Sequence, residues 1–324
     1  MAARATRSAS RKARLTEAVA TGPFGALSHD ELGVIVDGLA DPLQPVVAVA
    51  LSSTCLGLRT PLLAALEVLK EPHERAKALC RKMRTTCAAA RDAVALAWDF
   101  HNHQLSMSAL LQFHRQFQLN FTDMATLGMI LRTRGLPRLE RLDLSGHALC
   151  SARVQALCEG LSCGAAPSLS IINLNRSRVG RAGAVAFAAA IRRGALPKLE
   201  VLLLNQNPLG NQGLAAMALP LRKLPALRCL QLSGCLIGDD AVASLLANLG
   251  KDEFKALWRI DLDSNEITDA GCGTIVDALD ADAMPSLRSF RMAGIRRGAS
   301  SSAVQMLEDA FAKRLGSSSM WCVS

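Results

Sequence analysis

The sequence predicts an α/β protein: a solenoid of stacked strand–helix units preceded by a small all-helical segment. Three observations predict it. The chain has 324 residues, about twice an ordinary domain of ~150, which leaves room for two units or one long array. Leu139, Leu169, Leu199, Leu227, Leu257 and Leu287 recur every 28 or 30 residues, and self-similarity of that period marks a repeat architecture. Within each period the apolar spacing switches from two residues to four, so a strand is followed by a helix.

Composition narrows the class. Half the residues are apolar and 20% are charged, which excludes wholesale disorder. No apolar run approaches the ~20 residues that cross a bilayer, so no membrane partner is expected. Aromatics make up 4%, with no tyrosine, so a base-stacking nucleic-acid platform is not expected. The net charge of +9 is uneven: residues 136–232 carry twelve basic and four acidic side chains, and residues 233–324 carry nine and thirteen. A protein partner of mixed charge suits that gradient better than nucleic acid does. None of the ten cysteines forms a CxxC pair; most lie in apolar patterns and read as reduced core residues. No basic segment followed by an apolar one opens the chain, so a cytoplasmic or nuclear location is expected.

Residues 1–24 form a basic, small, polar tail. A disordered tail, a nuclear-type basic patch and an arginine- and serine-rich organelle transit segment all suit it. Residues 25–66 read as three or four short helices. Ser28-His29-Asp30-Glu31 is a capping box, opening a helix with Leu32, Ile35, Val36 and Leu39 on one face. Asp41-Pro42 ends that helix, and Thr60-Pro61 caps another carrying Leu62, Leu63, Leu66 and Leu69. Pro72 marks a further start within residues 67–108, a long-helix linker. Its stripe is Ala76, Cys80, Met83, Cys87, Ala90, Val94 and Ala97, with a basic face that suits solvent or an acidic partner.

Residues 109–315 hold the repeats, with a capping unit at 109–135 and six units from residue 136. Each opening leucine is followed by apolar residues three and five positions later, as in Leu142/Leu144 and Ile260/Leu262, which buries one face of a short strand. Eight positions after it stand His147, Ser177, Asn207, Cys235 and Asn265, where a polar side chain can bond backbone groups left unpaired by the bend. Helical pairs such as Phe187/Ile191 and Ile275/Leu279 follow on one face. A proline two residues before the next opening leucine restarts the extended chain. One unit buries too few apolar side chains to offset the ordering of ~30 residues, so the units must share a core. Residues 316–324 read as a disordered tail.

The phrase Leu257-Trp-Arg-Ile260-Asp-Leu262-Asp-Ser-Asn265-Glu-Ile267-Thr-Asp269-Ala-Gly271 resembles leucine-rich repeats of the ribonuclease-inhibitor type, over residues ~136–315. The resemblance implies a horseshoe with parallel strands on the concave side and helices outside. Residues 25–66 resemble an F-box, through Leu27, Glu31, Leu32, Ile35, Leu39, Cys55, Leu58 and Arg59, although Ser28 stands where that family has proline. A plain helical cap on the array is the other reading of this stretch. An F-box would use Leu27, Leu32, Ile35, Leu39 and Leu58 to dock a Skp-type adaptor of a cullin–RING ubiquitin ligase.

No enzyme chemistry is expected. Gly160-Leu161-Ser162-Cys163-Gly164 matches GxSxG, but a nucleophile elbow needs a strand before the serine and a helix after it, and here a helix precedes. His101, His103 and His114 lack cysteines or carboxylates at ligand spacing, and no GxxxxGK[ST] loop occurs. No metal or cofactor is expected. In a curved array the outward strand residues form columns on the concave wall, and these are the candidate partner site: Arg141, Ile171, Val201 and Arg259; Asp143, Asn173, Leu203, Gln231, Asp261 and Arg291; and Asp263. Aliphatics at the centre and charges at the flank suit a protein interface. The expected function is therefore a protein-binding scaffold, with the ubiquitin-ligase role if the F-box resemblance holds. The alternative, from similarity of the repeats to Ran GTPase-activating proteins, is regulation of a small GTPase.

Overall fold

The computed structural model describes residues 41–45, 48–50, 56–83, 87–91, 95–97, 119–133, 135–250, 253–281, 283–294, 298–315 and 320–322. The chain forms two compact units, Met1–Ala90 and Arg91–Ser324. In the first, helix α1 (Leu56–Lys82) is followed by the short α2 (Cys87–Arg91), which ends at the boundary. Helix α1 buries Leu69, Ala76, Leu79 and Cys80, one stripe at helical spacing.

In the second unit strands and helices alternate. The order is β1 (Ala95–Ala97), α3 (Phe121–Thr133), β2 (Arg141–Asp143), α4 (Ser151–Gly160), β3 (Ile171–Asn173), α5 (Arg181–Arg192), β4 (Val201–Leu203), α6 (Gly210–Arg222), β5 (Cys229–Gln231), α7 (Asp239–Leu246), β6 (Arg259–Asp261), α8 (Asp269–Asp280), β7 (Ser289–Arg291), α9 (Ser301–Leu315) and β8 (Met320–Cys322). All eight strands lie in one parallel sheet in chain order. Each helix from α3 to α9 packs on the next, so the helices form a row of their own.

The repeat spacing reappears as strand register. Leu142, Ile172, Leu202, Leu230, Ile260 and Phe290 pair in a line and are all buried, as are the opening leucines. Helix residues such as Phe187, Met217, Leu245 and Ile275 are buried too, so the buried strand face and the helix stripes supply one apolar core. Phe290 and Phe311 meet there, ring centroids 4.9 Å apart. The junction of α3 and α4 requires glycine: a Cβ on Gly160 would land on the backbone of Gly128. That close approach is what the first glycine of the GxSxG match serves, and a helix, not a strand, precedes Ser162.

Four expectations need correcting. Helix α1 starts at Leu56 and runs through both Pro61 and Pro72. A proline removes one backbone bond, but the buried stripe on either side of Pro72 holds the helix together. The long helix expected across residues 67–108 stops at Lys82, and residues 95–97 are a strand. Ala95-Leu96-Ala97 extends the same apolar stripe, yet it finds a parallel partner in β2, Leu96 in register with Leu142. The capping unit at 109–135 does supply helix α3, but the strand ahead of that helix lies outside the window. Finally, the tail expected at 316–324 includes β8, where Met320, Trp321 and Cys322 register with Ser289, Phe290 and Arg291. Pairing there satisfies backbone groups that the edge of β7 would otherwise expose.

Candidate functional site

Because side chains alternate along a strand, the residues flanking the buried line stand on the opposite face of the sheet. Strand register sets them in two columns: Arg141, Ile171, Val201, Cys229, Arg259 and Ser289, then Asp143, Asn173, Leu203, Gln231, Asp261 and Arg291. A third row follows at Ser145, Asn175, Asn205, Ser233, Asp263 and Ala293. Arg141 is exposed, and Ile171, Val201 and Leu203 are half-buried.

The expected charged flank is less open than the spacing suggested. Asp261 and Asp263 are only 6% and 9% exposed, and Cys229 and Ser289 are buried as well. The cause is their packing into a polar lattice. Arg291 Nη2 lies 2.9 Å from Asp263 Oδ2, and its Nε lies 3.9 Å from Asp261 Oδ2. Asp261 Oδ1 accepts the Asp263 N–H at 3.1 Å, and Asp263 Oδ1 accepts the Ala293 N–H at 2.6 Å. Burial pushes the Asp261 carboxyl above the ordinary aspartate range; Asp263 adds to the rise, while the backbone bond, Arg291 and Arg259 oppose it. Burial likewise pushes the Cys229 thiol up, with Arg259 pulling the other way.

Amides link the middle units. Asn173 Nδ2 donates to Asp143 Oδ2 (2.9 Å), Asn205 N to Asn175 Oδ1 (2.8 Å), Asn205 Nδ2 to Gln231 Oε1 (2.8 Å) and Ser233 N to Asn205 Oδ1 (2.9 Å). Asn173, Asn175, Asn205 and Ser233, with Arg176, Gln206 and Arg291, line an open groove of about 470 Å³. A polar groove beside a half-buried apolar strip can hold an extended chain through its backbone amides while the strip takes side chains.

One part of this site escaped the sequence. Gly146, Arg176, Gln206, Gly234, Ser264 and Gly294 all have φ between 55° and 79°, a left-handed turn at the same point of every unit. Bonds across units hold it: Arg176 N donates to Asn205 O at 2.8 Å and Gln206 N to Ser233 O at 2.7 Å. Arg176 Nε also donates to Gln206 Oε1 at 2.9 Å. Glycine at three of the six positions was the available signal.

Below the face, the polar position eight residues after each opening leucine behaves as expected. Asn207 Oδ1 accepts the N–H groups of Ser177 and Val179 (3.1 and 2.8 Å), and its Nδ2 donates to Leu174 O and Leu204 O (both 2.7 Å). Asn265 repeats the pattern with Cys235, Ile237, Leu232 and Leu262. Ser177 Oγ donates to Leu144 O at 2.7 Å, and Cys235 Sγ lies 3.2 Å from Leu204 O.

Of the candidate adaptor residues, Leu27, Leu32, Ile35 and Leu39 lie outside the described residues, and Leu58 falls in α1. Cys80, Cys158, Cys229, Cys235 and Cys272 are buried free thiols, whereas Cys150 and Cys163 are exposed, outside the core role expected of most. Burial pushes Cys158 up to about 12 and Cys235 and Cys272 up to about 11, so these thiols stay protonated at neutral pH. Among the described residues no group of three His, Cys, Asp or Glu is placed to hold a metal ion, and no helix is long and apolar enough to cross a membrane. Compared with known proteins, the chain matches no family model and no curated protein.

Proposed function

We propose that the chain is a leucine-rich-repeat protein of the ribonuclease-inhibitor type, a solenoid that works as a non-enzymatic scaffold and holds a protein partner on its open sheet face. One observation carries the reading: outward side chains stack in register, two per strand, across β2–β7. They set a half-buried aliphatic strip (Ile171, Val201, Leu203) between charged or polar ends. Protein interfaces combine an apolar centre with a polar rim in this way. In this reading residues 25–66 are the F-box-like element that docks a Skp-type adaptor, so the partner becomes a ubiquitin-ligase substrate.

Two arms test it. The intact protein captures a Skp-type adaptor and the Leu32→Asp/Ile35→Asp variant does not; no capture by either removes the ligase role. For the face, affinity purification compares wild type with Val201→Glu and with Val185→Glu, an exposed change on helix α5. The reading expects a partner lost with Val201→Glu alone, and identical partner sets for all three would contradict it.

A further inference from the structure

Trp258 stands immediately before β6 and is 40% exposed. Its backbone N–H donates to Arg228 O at 2.9 Å, and its backbone carbonyl accepts the N–H groups of Arg288 (2.8 Å) and Ser289 (2.9 Å). Residues 228, 258 and 288 therefore occupy one position in three successive units, so an arginine residue stands on either side of Trp258 in the register. Arg259, the next residue along, is half-buried, and its Nε is buried with no hydrogen-bond partner.

These cations are weakly committed. Arg228 meets Glu200 at 3.5 Å with both side chains largely exposed, the kind of pair that solvent screens. The Nη1 of Arg288 donates to the carbonyls of Pro285 and Leu287. Asp261 faces Arg259, but Arg291 competes for it. Three arginines thus neighbour the exposed Trp258 in register or in sequence, against two acids, each already engaged. The exposed guanidinium groups of Arg228 and Arg288 are open to an incoming carboxylate, and a charge-assisted bond to it is the stronger kind. At the rim itself Arg228, Arg259 and Arg288 outnumber Glu200 and Asp261, and that local excess favours an acidic chain.

We propose that this rim docks an acidic linear segment of the partner protein, which seats an apolar or aromatic side chain against Trp258 and carboxylates on Arg228, Arg259 and Arg288. The proposal rests on the reading of the open face as a protein-binding surface. A nucleic-acid strand fits the rim less well: single-strand binders stack successive bases on several aromatic groups, and this repeat position carries the indole of Trp258 alone.

The test is fluorescence anisotropy on the intact chain, with a fluorescein-labelled peptide of glutamates around one phenylalanine. Its controls are the same peptide with lysines and a thymidine oligonucleotide. The glutamate peptide binds, more weakly as salt rises, and Trp258→Ala, Arg259→Glu and Arg288→Glu each weaken it about tenfold or more. The lysine peptide does not bind. Arg288 is exposed, so its variant keeps the fold if the half-buried Arg259 variant does not, and circular dichroism checks both. Three results would overturn the proposal: no binding of the glutamate peptide, binding that these variants leave unchanged, or oligonucleotide binding through the same arginines. Self-association abolished by Trp258→Ala would reassign the rim to a second copy, against the proposal. If Val201→Glu loses its partner while the rim variants bind normally, the rim assignment fails and the scaffold reading stands.

Discussion

Asn207 and Asn265 place both ends of their amides on backbone that a turning strand leaves unpaired. Asn265→Ala orphans two buried N–H groups and two carbonyls, so it should lower unfolding stability by about 3 kcal/mol in urea titrations, with the slope unchanged. A loss under ~0.5 kcal/mol would mean water replaces the side chain. Asp261 offers a test with pH. Its pKa is raised by burial, so the native state holds a proton that the unfolded chain has already released, and stability falls as pH climbs across that window. Asp261→Asn mimics the neutral acid and still accepts the Asp263 N–H. It should melt above wild type at pH 7, with the gap closing as pH drops through the raised pKa toward the ordinary aspartate value; a gap that widens on acidification would contradict this. The asparagine ladder was legible because a polar residue recurs at a fixed distance from the opening leucine. The left-handed column was not, because Arg176, Gln206 and Ser264 hold φ > 0 through bonds to the next unit, which residue identity alone does not reveal.

Helix ends are completed by neighbouring units. Helices α4, α7 and α8 carry no basic residue in their last turn, yet each receives an arginine from an adjacent helix or, for Arg193, from the residue that caps one. Arg193 reaches Cys158 O (2.7 Å), Arg222 reaches Leu245 O and Ser244 O (2.9 and 2.8 Å), and Arg314 reaches Leu279 O (2.7 Å). A cation there satisfies orphan carbonyls and opposes the negative end of the helix dipole. At the other ends side-chain oxygens accept backbone N–H groups: those of Asn211, Asp239 and Asp269 take the N–H of Gly238, Thr268 and Ser300 at 2.6–2.8 Å. Arg222 is 7% exposed and also pairs with Glu253 at 3.5 Å. Arg222→Met keeps the volume but strips these bonds, and should cost about 3 kcal/mol in thermal or urea unfolding. A neutral result would show that the carbonyls find water. The sequence announced the repeat helices through apolar pairs four apart, but it hid β1 and β8. Three residues are too few to carry a periodicity, and each strand exists because a neighbouring edge was available to pair with.

Over the whole second unit, one parallel sheet and one row of helices grow by the same step. Many of the interactions described above join residues about 30 positions apart in neighbouring units: Asn173 to Asp143, Arg176 to Gln206, Ser300 to Asp269. Stability then comes from nearest-neighbour interfaces summed along the array, and the open face is a product of that register. This predicts tolerance to removal of a complete unit. Deleting residues 227–256 joins Ala226 to Leu257, keeps a proline two residues before the leucine, and brings Asn265 to the unit of Asn207. The measurement is urea unfolding of that shortened chain, followed by circular dichroism. The account predicts one cooperative transition with native-like helix and strand signal and a slope reduced in proportion to the buried surface removed. A chain that stays unfolded, or melts without cooperativity, would contradict stacked and interchangeable units.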